Sequence, residues 1–311
     1  MVQVLVDYAP NVWKLLNGLV CVYKPAGESA HRVRKSLLGK LSRELCEMDC
    51  REPTPFVEIE GDTTKPMSVT VRPNYADHPL VIGPRYVVED FKCRWATYLG
   101  FNTSGVFLLG LNKGTYMAYK LNSKYPIRTY RLTAEMGYTT NNLFKTGKVV
   151  DRHSFNHVRL AFLENLLASI EATHQRNVFQ ICGVDIQSQE AYELAASGLV
   201  RPVNSKIPIV YSCKCVEFNP PEFTLEIQSI NEYEAFLLAL VHSIGLKLRT
   251  LATCISVQCI RHSFFTLDNA LLKKHWTLQD VVTNIKNNQK LFNKINIINQ
   301  TVMKTEEENN N

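Results

Sequence analysis

The residue types able to do chemistry are few in this chain and mostly isolated. Cys213 and Cys215 stand two apart in a β-branched run, so their side chains share one strand face, whereas a chelating pair needs the turn that a two-residue gap allows. They read as core thiols. His153 and His157 are four apart and would share a face only if both were helical, and no Glu or third ligand accompanies them. Gly110 to Gly114 and Thr146-Gly147-Lys148 match neither the dinucleotide fingerprint nor the phosphate-binding loop. No metal and no nucleotide cofactor is expected from these residues. Charge is the stronger signal: Lys24, Arg32, Arg34, Lys35, Lys40 and Arg43 face only Glu28 within residues 24–43, a density suited to neutralising phosphates.

These residues must be carried by elements that the pattern outlines. Gly18 to Tyr23 predicts a strand ending at the turn Lys24-Pro25-Ala26-Gly27, followed by the basic helix. Residues 46–80 predict an inserted loop or hairpin with two short alternating runs, Phe56 to Glu60 and Ser68 to Arg72. Gly105 to Leu111 reads as a buried strand, a helix follows to Asn122, and Arg128 to Tyr138 alternates as a strand. Ser154 or Asn156 is expected to cap a helix bearing Val158, Phe162, Leu163, Leu166, Leu167 and Ile170. Another helix opens at Gln189 and stops at Gly198. Ile209 to Phe218 and Phe223 to Ser229 read as an antiparallel pair around Asn219-Pro220-Pro221, then Asn231 to Ile244 as a helix ended by Gly245. Thr277 and Asp280 open a last helix, and the Asn-rich segment from Asn284 lacks the apolar content to pack. The sum is an α+β domain over residues 17–290 on a mixed, largely antiparallel sheet flanked by helices, with a lead at 1–16 and a polar, disordered tail at 291–311.

Composition sets outer bounds. The 311 residues are 45% hydrophobic, enough for one large core or two modest ones, and 35 Lys plus Arg against 29 Asp plus Glu give a net charge of +6, compatible with a polyanionic partner. Nine cysteines without repeated spacing point to a reducing compartment. The apolar stretch Ala235 to Leu246 is interrupted by His242 and too short to span a bilayer, so no membrane span is expected. Met1 to Leu16 holds Asp7, one Lys and no Arg, and shows no targeting signal.

Five segments in order resemble the TruB-type pseudouridine synthases, most closely their mitochondrial branch. Asn17-Gly18-Leu19-Val20-Cys21-Val22-Tyr23-Lys24-Pro25-Ala26-Gly27 is similar to the family's opening strand and turn, and Thr103-Ser104-Gly105-Val106-Phe107-Leu108-Leu109-Gly110 to the end of its catalytic-loop motif. Arg128-Thr129-Tyr130 resembles the strand with the family's base-stacking tyrosine, followed by Gly137-Tyr138-Thr139-Thr140. Ser188 to Ala195 with Gly198 resembles the helix bearing a second active-site tyrosine, Tyr192, and Pro220-Pro221-Glu222-Phe223 with the helix ending at Gly245 the last motif. The resemblance implies a pseudouridine-synthase fold with an RNA-binding cleft, no metal and no cofactor. It also implies mitochondrial localisation, with mitochondrial rRNA, mRNA or tRNA and other mitochondrial RNA-processing proteins as partners. Tyr130 and Tyr192 would stack bases, and Lys24, Arg32, Arg34, Lys35, Lys40 and Arg128 would hold RNA.

Two positions depart from the family. Its catalytic Asp stands five residues before the motif glycine, and from Gly105 that position is Gly100. Its charge-balancing Arg stands seven residues before the helix-ending glycine, and from Gly245 that is Leu238. A carboxylate is needed to act on the flipped nucleotide, and losing one member of a buried ion pair favours losing both. The expectation is an RNA-binding protein without isomerase chemistry. The alternatives are an active synthase using a displaced acid, with Glu89, Asp90, Glu232 and Glu234 the nearest, and an interaction module that has left RNA.

Overall fold

The structure is a computed structural model that describes residues 8–50, 54–61, 64, 66–196 and 206–309. In chain order the elements are α1 (Ala9–Leu15), β1 (Gly18–Lys24), α2 (Ala30–Glu47), β2 (Phe56–Glu60), β3 (Ser68–Arg72), α3 (Pro79–Ile82), β4 (Cys93–Trp95), β5 (Thr103–Leu111), α4 (Gly114–Ser123), β6 (Arg128–Met136), β7 (Tyr138–Thr140) and β8 (Val149–Arg152). There follow α5 (Leu160–Ile181), α6 (Gln189–Ala196), β9 (Ile209–Asn219), β10 (Glu222–Ile230), α7 (Glu234–Lys247), β11 (Ala252–His262), β12 (Phe265–Thr266) and α8 (Leu278–Asn309). One eight-stranded sheet runs β1-β5-β11-β6-β10-β9, with β4 on β5 and β12 on β11, and every pairing is antiparallel except β5 with β11. The fold is therefore α+β on a mixed, largely antiparallel sheet.

That parallel join fixes the motif glycine. Gly105 lies opposite Cys259 at φ +115°, where a Cβ would overlap the Cys259 carbonyl, so only glycine fits. α2 buries Ala30, Val33, Leu37, Leu41 and Leu45 at helical spacing, which leaves Arg32 and Lys35 on its outer face. Ser29 caps it by accepting the Arg32 N–H at 3.2 Å. Among the described residues β2 and β3 pair only with each other, as an exposed hairpin within the expected insertion.

Several boundaries differ from the sequence reading. α5 starts at Leu160, without a side-chain cap, because His153 N–H is bonded to the Gly137 carbonyl at 2.9 Å and the His157 ring to the Leu248 carbonyl at 2.9 Å, which holds residues 153–157 outside a helix. His153 and His157 consequently share no helical face. Gly245 does not end α7 but lies inside it, where a Cβ would stand 2.6 Å from the Ala252 backbone nitrogen at the start of β11. The lead is not separate from the domain, since Ala9, Val12 and Leu16 join the core. The start of the segment from Asn284 packs, since α8 buries Asn284, Ile285 and Asn288. Gly198 lies outside the described residues.

α8 packs beside β1 because its polar residues are useful there. Asn284 Oδ1 accepts the Cys21 N–H at 2.9 Å and Asn288 Nδ2 donates to the Leu19 carbonyl at 3.0 Å, while Leu271 exchanges backbone hydrogen bonds with Cys21 and Tyr23. The outer edge of β1 is thereby satisfied without a further strand.

Candidate functional site

The motif loop between β4 and β5 is clasped from two sides. Lys24, at the end of β1 and fully buried, donates from Nζ to the carbonyls of Pro25 at 3.1 Å, Phe101 at 3.3 Å and Thr103 at 2.7 Å. Burial lowers its pKa to about 8, opposed by the charges of Glu234 and Glu28. From the other side, Glu234 in the first turn of α7 accepts from Asn102 Nδ2 at 3.0 Å, from Thr103 N at 2.9 Å and from Thr103 Oγ1 at 2.7 Å. A Cβ built on Gly100 would overlap this carboxylate and stand 2.6 Å from Glu234 Cβ. Leu238 is buried one helical turn further along the same face of α7.

Beside this loop lies a buried charged cluster. Arg128, at the start of β6, is ion-paired through Nε with Glu232, and its Nη2 donates to the Glu232 carbonyl at 2.8 Å and Nη1 to the Tyr98 carbonyl at 3.3 Å. Burial pushes the Glu232 carboxyl up, against the pull of the Arg128 charge. The Tyr130 ring lies 5.6 Å from the Arg128 guanidinium and is 2% exposed, and burial holds its hydroxyl protonated well above the usual range. His262, on β11, contacts Thr97 Oγ1 through Nε2 at 2.6 Å, and burial with the Arg128 charge lowers its pKa to about 3.

The sequence-derived site residues thus divide. Arg32 and Lys35 are exposed on α2, with Arg34 and Lys40 half-buried beside them. Lys24 and Arg128 are buried cations whose donors are directed at loop carbonyls and at Glu232 rather than at the surface. Tyr130 offers no open ring face, while Tyr192 on α6 is 70% exposed, so the two do not form a shared stacking surface in this conformation. Of the substitute acids, Glu89 and Asp90 are exposed, Asp90 accepting the Val87 N–H at 2.9 Å in its own turn, and Glu232 is committed to Arg128, leaving Glu234 as the carboxylate that touches residue 100. No group of three or more His, Cys, Asp or Glu able to hold a metal occurs among the described residues.

The profile of the TruB family pseudouridylate synthase (N terminal domain) matches residues 92–233, a span that contains the Gly100 loop, Arg128, Tyr130 and Glu232 but not Lys24, Glu234 or His262. Pseudouridylate synthase TRUB2, mitochondrial, of Xenopus tropicalis is 34% identical over 284 residues, covering 89% of this chain and 87% of that one. The chain belongs to the TruB family, in its mitochondrial branch. The human protein of the same name is 33% identical over 273 residues, covering 86% of this chain and 82% of its own length. Among solved structures, the archaeal box H/ACA sRNP Nop10-Cbf5 complex aligns at 13% identity with a TM-score of 0.46 over 90% of this chain and 58% of that one. No helix among the described residues is long and apolar enough to cross a membrane.

Proposed function

We propose that this member of the TruB family is an RNA-binding protein of mitochondrial RNA modification or maturation that no longer isomerises uridine. The observation that carries this is Gly100 packed against Glu234. The position that supplies the family's reacting carboxylate has no side chain, and the space beside it is filled by a carboxylate already holding Asn102 and Thr103. With Leu238 one turn on, no cation stands at the position of the family's balancing Arg. The exposed cations of α2 do not depend on that chemistry and can neutralise phosphates without it. The test is to incubate the purified chain with RNA free of pseudouridine and detect the modified base site by site. No modification is expected, together with RNA affinity that falls steeply with salt; accumulation of pseudouridine would overturn the reading.

One observation favours a second reading, an active synthase using a displaced acid. Glu234 brings a carboxylate to the very place that Gly100 leaves bare. On that reading the unmodified chain turns over and Glu234→Gln abolishes the product. The absence of any salt-dependent RNA binding would leave only an interaction module.

A further inference from the structure

The rim of the Gly100 loop carries aromatic rings outside the family's stacking positions. Trp95 ends β4, and Tyr98 and Phe101 bracket Leu99 and Gly100. Their backbone is fixed: the Tyr98 carbonyl accepts from Arg128, and the Phe101 carbonyl from Gly27 N at 2.9 Å and from Lys24 Nζ. Their rings are nevertheless open, Tyr98 being 52% and Phe101 54% exposed. Trp95 lies 6.0 Å from the Tyr98 ring, meets His31 edge to face at 4.8 Å and 84°, and has the Arg34 guanidinium 5.4 Å from its centroid. His31 and Arg34 belong to the start of α2, where Arg32 and Lys35 are exposed, and Glu28, the only acid in residues 24–43, is bonded to Lys273 at 3.3 Å.

Trp95 is half-buried and packs against the core, while Tyr98 and Phe101 present held, exposed rings beside cations, and this arrangement matches one kind of partner. A nucleic acid duplex presents phosphates but keeps its base faces stacked inside, whereas a single strand offers both at once. An apolar protein surface would fit the rings and leave the cations unmatched. We propose that Trp95, Tyr98, Phe101 and Arg34 form a stacking platform for unpaired bases of an RNA strand whose phosphates run along Arg32 and Lys35. This rests on the RNA-binding reading above and assigns it a site distinct from the buried Tyr130.

The test uses fluorescently labelled single-stranded RNA and a duplex of equal length, with binding followed by anisotropy across a salt series. Tyr98→Leu/Phe101→Leu keeps apolar bulk and removes the π faces, and Tyr116→Leu, on the exposed side of α4, serves as control. The double change is expected to weaken single-strand binding about tenfold or more with an unchanged salt slope, because stacking releases no counterions. Arg32→Glu/Lys35→Glu is expected to flatten that slope by about 2. RNA should quench the emission of Trp95, a signal missing from Trp95→Phe. Wild-type affinity in the leucine variant, with salt-dependent binding intact, would overturn the platform and leave the RNA reading standing. Equal losses on single strand and duplex would also overturn it. Wild-type protein without salt-dependent binding would remove both.

Discussion

Gly100 and Glu234 form a packed pair with no spare volume, so a methyl group at position 100 forces out a carboxylate that holds three hydrogen bonds. Gly100→Ala is expected to cost about 1–3 kcal/mol, read by denaturant unfolding, and the cost should largely vanish in a Glu234→Ala background. The same collision means that Gly100→Asp with Leu238→Arg cannot rebuild the family's ion pair while Glu234 stays; turnover is expected only when Glu234→Ala accompanies them, measured as pseudouridine formed. His262 gives a pH signature. Its folded pKa is about 3 against an ordinary 6.5, so below pH 6.5 the unfolded chain takes a proton that the fold refuses, and stability is lost as pH falls from about 6.5 towards 3. In Gln this loss is absent. Urea unfolding at pH 7, 6 and 5 should show His262→Gln gaining on wild type by about 1.4 kcal/mol for each unit below 6.5. That Gly100 lies in the loop before β5 and Leu238 within α7 was legible, because motif spacing counts residues along the chain. The burial of Arg128 was not, since its partner Glu232 is distant in sequence and arrives only through the pairing of Arg128 with Ser229 between β6 and β10.

Helices and strands were readable where one face alternates and unreadable where a polar residue serves the fold. α2 shows its buried stripe plainly. α8 hides its role, because Asn284 and Asn288 look like tail residues until they meet the open edge of β1. Asn288→Ala is expected to lower stability by about 1–3 kcal/mol by leaving the buried Leu19 carbonyl unpaired, whereas Lys286→Ala, exposed on the same helix, should stay within about 0.5 kcal/mol by denaturant titration. Gly245 illustrates the opposite error. Glycine reads as a stop in a linear pattern, but here α7 needs its small size to approach Ala252 and continues past it.

For the molecule as a whole, a main core runs through the sheet and the helices α1, α2, α4, α5, α7 and α8, beside a smaller cluster of Val178, Ile209 and Ile230, and the β2–β3 hairpin stands outside both, with Val57, Ile59, Val69 and Val71 exposed. Replacing residues 54–73 by a short Gly/Ser linker is therefore expected to leave the melting temperature within about 3 °C of wild type, a shift below about 1 kcal/mol for a chain of this size, by thermal scanning. A larger drop would show that the hairpin supports the core.

The sealing of β1 by α8 also sets a clock on synthesis. Cys21 and Asn284 are 263 residues apart in sequence, so the first strand leaves the ribosome long before the side chain that covers its edge exists. At about 5–20 residues per second the interval is roughly 13–50 s, and throughout it an apolar strand with free N–H and C=O groups is open to pairing with other chains. A nascent chain of this protein is therefore expected to need a chaperone early in its life, and ribosome-bound fragments ending before Asn284 should aggregate on release while those reaching Asn288 and beyond the exit tunnel should not.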